Sequence, residues 1–168
     1  GREILYFDQE RYADPSKSIR GGIPVLFPIC GNLPGDVLPV DGVDHSLKQH
    51  GFARDLPWQL QLLEDQSGVC LSLSSTDETL KAYPFPFRLE MELRPVASAL
   101  EISTMVHNCG DAAMPFSFGL HPYFNVSDLA QTRLTGLAER CLNHLEMAEA
   151  ATADQLGRLP EGVDFLCR

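Results

Sequence analysis

The chain has 168 residues, a formal net charge of −10, 44% hydrophobic residues and 21% charged ones. That apolar share suits a globular core, and so acidic a balance argues against nucleic acid or an anionic membrane as a partner. No apolar run approaches the ~20 residues of a membrane span, the first residues, GREILYF, do not read as a signal peptide, and a single domain over 1–168 is expected. Five cysteines (Cys30, Cys70, Cys109, Cys141, Cys167) are widely spaced, odd in number and without a CxxC. They read as buried free thiols of a cytoplasmic protein.

The stretch from Arg20 to Trp58 opens with RGGIPVLFPICGNLPG, passes through a polar excursion, and closes with LKQHGFARDLPW. Glycine lets a ligand approach the main chain closely, and arginine brings a planar donor fork suited to phosphate or carboxylate. Arg20 with Gly21 and Gly22 at one end, and Gln49, His50, Gly51 and Arg54 at the other, read as the floor of an anion-binding pocket. The same residue types equally read as a surface loop with scattered arginines and a core histidine.

Beyond it the pattern is strand. Residues 57–62 set Trp58, Leu60 and Leu62 against Gln59 and Gln61, and 69–74 set Val69, Leu71 and Leu73 against Cys70, Ser72 and Ser74. Residues 88–94 and 100–107 alternate in the same way. A period of two repeated this often predicts antiparallel sheet with one buried face. Turn chemistry at 65–68, Pro95 and 108–111 links the strands, no helical pattern intervenes, and a sandwich is expected. One segment, 146–156, is rich in helix formers and reads as a helix or as a surface loop.

In PFSFGLHPYF (115–124), His121 precedes Pro122, which biases its backbone toward an extended form. A fixed histidine among aromatics (Phe116, Phe118, Tyr123, Phe124) suits a general acid or base, although a lone histidine is more often structural. Asp164 follows a turn in EGVDF and on residue type alone reads as a solvated carboxylate. His45 and His50 lie five apart without HxH or HExxH, so no metal site is expected. GxSxG, P-loop and dinucleotide fingerprints are absent.

Together RGGIPVLFPICG, QHGFAR, YPFPFRLEMEL and NCGDAAMPFSFGLHPYF resemble, in order and spacing, the glucose-6-phosphate 1-epimerase (hexose-6-phosphate mutarotase) branch of the aldose 1-epimerase family. The resemblance covers Arg20 to Phe124 firmly and reaches to about Asp164. It implies an all-β fold, an antiparallel β-sandwich of the galactose-mutarotase (supersandwich) type, here incomplete at both termini. It implies an isomerase that interconverts the α and β anomers of a hexose 6-phosphate, or of a free hexose, without a cofactor. His121 would be the general acid on the ring oxygen and His50 would bind and polarise the sugar. Arg20 and Arg54, with Gln49 nearby, would hold the phosphate, and Asp164 would bind sugar hydroxyls, although EGVDFL lacks the DRxY-like element in which the family carries that Asp. The family's glutamate base is expected beyond Arg168, so the 168 residues alone are expected to be inactive and to self-associate through exposed sheet edges. The alternative is a sandwich that binds carbohydrate or phosphosugar without turning it over.

Overall fold

The computed structural model describes residues 3–14, 16–17 and 20–167; Gly1, Arg2, Pro15, Ser18, Ile19 and Arg168 lie outside it. In chain order the elements are helical turn α1 (Gln9–Tyr12), strands β1 (Val25–Leu26), β2 (Val37–Val40), β3 (Val43–Ser46), β4 (Gln59–Leu62) and β5 (Val69–Ser74), then helix α2 (Asp77–Ala82). Strands β6 (Phe87–Val96), β7 (Ala99–Asn108), β8 (Gly119–Leu120), β9 (Arg140–Asn143) and β10 (Ala148–Ala151), helix α3 (Thr152–Gly157) and strand β11 (Phe165–Cys167) follow. They fall into two compact units, Ile23–Pro122 and Gly1–Gly22 with Tyr123–Arg168.

The Ile23–Pro122 unit is built on an antiparallel sheet in the order β4-β5-β6-β7. Its register pairs Leu60 with Leu71, Leu71 with Met91 and Met91 with Thr104, so the alternation of each strand lands on common faces. Phe87, Leu89 and Met91 of the apolar face are buried, and Phe27, Ala53, Tyr83 and Phe85 close over its Phe87 end. Fully burying side chains of this size contributes ~1.5–3 kcal/mol each. The aromatic spacing of YPFPF places Tyr83, Phe85 and Phe87 in one cluster, with Phe27 meeting Phe87 edge-on at 5.0 Å between ring centroids. The Leu60 and Leu62 end of the same face stays open, at 63% and 72% exposure.

On the polar face, Glu90 accepts from Arg88 and pairs with His107 at 2.8 Å. These bonds, His107 first, hold its carboxyl below the usual range. At the β4–β5 turn, Asp65 accepts from the Ser67 amide and hydroxyl and from Arg94, which brings its pKa down to about 2.

The structure revises several sequence expectations. The polar excursion after LPG is a hairpin: β2 pairs with β3 across Asp41-Gly42, both with positive φ, the two-residue turn that matches strand twist. A helix, α2, does interrupt the strands. Thr76 and Thr79 form a reciprocal capping box at its start, satisfying two amides that a helix end leaves unpaired. Pro95 is not in a link but in β6, opposite Leu100. It lies beyond the last β5 partner, Leu93's Val69, where its missing N–H leaves that side of the ladder intact.

The other unit carries a sheet in the order β10-β9-β11. Residues 146–156 are neither one helix nor a loop. Ala148–Ala151 pairs with β9 as strand and only Thr152–Gly157 is helical, because cross-strand hydrogen bonding outweighs the modest propensity of alanine. In the same unit, Phe7 bridges to Gly21, and Tyr6 accepts from Gly22 N and donates its own amide to Tyr123 O. The cysteines are free, but only Cys141 is buried. Cys30 and Cys109 sit outside regular strands and Cys70 projects from the polar face of β5, where burial is not required.

Candidate functional site

The QHGFAR segment is shaped by Gly51. Its φ is +68°, and a Cβ there would lie 2.5 Å from the Phe27 carbonyl carbon and 2.6 Å from Pro28 Cδ. Only glycine lets the chain pass so close to the Phe27 backbone. The close pass lets Phe27 O accept from both Phe52 N (3.0 Å) and Ala53 N (3.2 Å). Trp58 finishes the turn by donating Nε1–H to Ala53 O at 2.8 Å. The residue before Gly51, His50, is itself left-handed, with φ +66°.

His50 is half-buried and tied to Gly31 by two bonds. Its amide donates to Gly31 O at 2.8 Å, and its Nδ1 accepts from Gly31 N at 3.0 Å. A backbone N–H can only donate, so Nδ1 carries the lone pair and the neutral ring holds its proton on Nε2. Burial lowers the His50 pKa, and the charges of Arg54 and His121 lower it further. An imidazole kept neutral, with a donor at Nε2, suits a hydrogen bond to a sugar oxygen.

Arg54 is held loosely. It reaches Gln49 O at 3.5 Å and Asp55 at 3.8 Å, with its side chain 30% exposed. Such distances leave most of its donors for a ligand. Gln49 is exposed beside it. His121 follows β8, which pairs with β1, and its amide donates to Pro24 O at 3.0 Å, an extended arrangement. The run that leads to it is anchored by Tyr83, whose buried hydroxyl donates to Pro115 O at 2.8 Å. Of its aromatics, Phe118 packs against the core and Phe116 stays 48% exposed, 5.9 Å from the Phe27 ring.

The structure thus brings His121 and Arg54 within electrostatic reach of His50 in the Ile23–Pro122 unit. Arg20 and Asp164 belong to the other unit. Arg20 is exposed, and its carbonyl accepts from Asp8 N. Gly21 beside it is required by the chain rather than by a ligand, since a Cβ would meet Phe7 Cα at 2.5 Å. Asp164 is exposed and paired with His144, 3.2 Å from Nδ1. Among the described residues no three His, Cys, Asp or Glu side chains gather as a metal site, and no helix is long and apolar enough to cross a membrane. Sequence reasoning did not single out Gly31 or Ser117. Ser117 stood in the quoted run before His121 without a chemical motif to mark it.

Residues 3–158 match the aldose 1-epimerase family model. A Salmonella typhimurium protein named "Putative glucose-6-phosphate 1-epimerase" is 32% identical over 96% of this chain and 52% of its own length. One of the same name from Cenchrus ciliaris is 35% identical over 82% of this chain and 42% of its own. The solved Slr1438 protein from Synechocystis superposes with a TM-score of 0.87 at 45% identity, over 94% of this chain and 55% of that one. A galactose mutarotase-like protein from Lactobacillus casei gives 0.63 at 30% identity, over 75% and 40%. The chain therefore spans about half the length of the relatives it matches, and its all-β architecture is that of the galactose mutarotase-like sandwiches. From a family match over nearly all of its described length, the chain belongs to the aldose 1-epimerase family.

Proposed function

We propose that the protein interconverts the α and β anomers of a hexose 6-phosphate in the cytoplasm. In this reaction the anomeric hydroxyl loses its proton, the C1–O5 bond breaks, and O5 gains a proton. The C1–C2 bond of the open aldehyde turns and the steps reverse. Proton transfer at two points suffices, and neither a metal nor an organic cofactor enters.

His121 is assigned as the acid that protonates O5, and His50 as a neutral donor that binds and polarises the sugar. Arg54, with Gln49 beside it, is assigned to the phosphate. Arg20 as a second phosphate ligand and Asp164 as a ligand of sugar hydroxyls rest on sequence resemblance, and Asp164 would have to exchange its His144 partner for the sugar. No carboxylate of this chain is assigned as the general base.

The observation that carries the reading is the grouping of two imidazoles, one held neutral, with a guanidinium whose own protein contacts are long. The test is calorimetric titration of glucose 6-phosphate and glucose against wild type and Arg54→Ala, beside α/β exchange measured by NMR saturation transfer. A charge-assisted hydrogen bond is worth ~1.5–3 kcal/mol, so Arg54→Ala should weaken the phosphosugar roughly ten- to a hundredfold and the free sugar far less. Equal losses for both would remove the phosphate assignment. Exchange is read on a chain that also carries the family's C-terminal strands, where the resemblance puts the general base. Binding there without exchange above the spontaneous rate would favour a non-catalytic sugar-binding sandwich.

A further inference from the structure

We infer that Ser117 is a positioning residue that fixes the ring tautomer of His50 by holding the turn from Pro28 to Gly31. It rests on the proposed function only for its consequence, that the Nε2–H so fixed is the donor a sugar oxygen meets.

The Ser117 hydroxyl accepts from Cys30 N at 2.7 Å, and its own amide donates to Pro28 O at 2.9 Å. Two bonds from one residue therefore span the turn. The next amide along, Gly31 N, is the one aimed at His50 Nδ1. The Cys30 N–H belongs to the peptide just before the one that carries Gly31 N–H, so holding it restrains the chain leading into that peptide and narrows the direction of the Gly31 N–H. That N–H then admits one neutral tautomer, because a proton on Nδ1 would face donor to donor. It opposes the imidazolium for the same reason, and burial of the ring and then the Arg54 charge act in the same direction. Ser117 stands four residues before His121 in the run that leads to β8, so one segment places the proposed acid and sets the proton of its partner.

The molecule contains its own control. His45 Nδ1 lies 2.7 Å from Lys81 O, and a carbonyl can only accept, so His45 must carry its proton on Nδ1. The two rings are expected to be opposite tautomers in one spectrum.

The experiment is long-range proton–nitrogen correlation NMR on the chain labelled at its histidine nitrogens, followed through a pH titration. Wild type should show His50 with bare Nδ1 and protonated Nε2, His45 with the reverse, and a His50 midpoint below the ordinary ~6.5. Ser117→Ala, at an exposed position, should give a mixed His50 tautomer, with His45 unchanged. Ser117→Thr, which keeps the hydroxyl, should restore the wild-type pattern. A protonated His50 Nδ1 in wild type, or an unaltered His50 in Ser117→Ala, would overturn the inference. If Ser117→Ala fails to fold, a wild-type pattern in Ser117→Thr still supports the inference, and a mixed tautomer there counts against it. Glucose 6-phosphate added to the same samples separates the two proposals. Tautomer changes as expected with no sugar binding would sink the function and leave the positioning role standing.

Discussion

Replacing Gly51 by alanine isolates the strained turn on which His50 depends. The new methyl would meet the Phe27 carbonyl carbon at 2.5 Å and Pro28 Cδ at 2.6 Å, atoms of backbone and ring that cannot swing aside. The left-handed backbone adds ~1–2 kcal/mol for an L-residue. Relieving the clash means withdrawing Phe27 O from Phe52 N and Ala53 N, two hydrogen bonds worth ~0.5–1.5 kcal/mol each. The sum is about 2–5 kcal/mol, a large part of the ~5–15 kcal/mol that holds a typical domain. Gly42→Ala is the matched control. Its φ of +81° is also left-handed, yet nothing lies within 4 Å of its Cβ, so only the conformational cost remains, offset by ~0.4–1 kcal/mol from a less flexible unfolded chain. Trp58 is the single tryptophan and is bonded within the same turn, so its fluorescence in urea reports the unit that holds both glycines. The midpoint should fall steeply for Gly51→Ala and slightly for Gly42→Ala. Equal shifts, or a larger one at Gly42, would refute the steric argument.

Three further outcomes are expected. In a chain extended by the family's C-terminal strands, His121→Asn should keep phosphosugar binding and lower anomer exchange about 10²-fold or more, followed by polarimetry; near-normal exchange would make His121 structural. Tyr83→Phe removes the donor to Pro115 O and should cost ~0.5–1.5 kcal/mol by thermal unfolding, the net worth of one hydrogen bond. Asp65 should titrate by NMR at about 2, and Ser67→Ala should raise that value toward 3.8. Since the folded pKa is the lower one, the stability linked to Asp65 is complete above the unfolded value near 3.8 and is lost as pH falls through about 2.

The four strands of the main sheet were legible because their alternation is local. Val69 to Ser74 and Phe87 to Val96 each carry an apolar and a polar face whatever they pair with, and the register then aligns those faces. The motif order also carried the family, since RGGIP, HGFAR and HPYF hold glycine and imidazole groups at spacings that few folds would repeat. The β2–β3 hairpin was written in the sequence as Asp41-Gly42 and α2 as Thr76 to Thr79, yet both segments are short and polar enough to pass for loop. Strand β10 was not readable, because its alanines become strand only through partners on β9 five to eleven residues earlier. The same limit applies to the site. His50 and His121 could be named from residue type, but which His50 nitrogen bears the proton depends on Gly31, nineteen residues away, and on Ser117, eighty-seven residues from the Cys30 amide it holds. A tautomer is chosen by whichever donor or acceptor faces the ring, and only the tertiary structure supplies that neighbour.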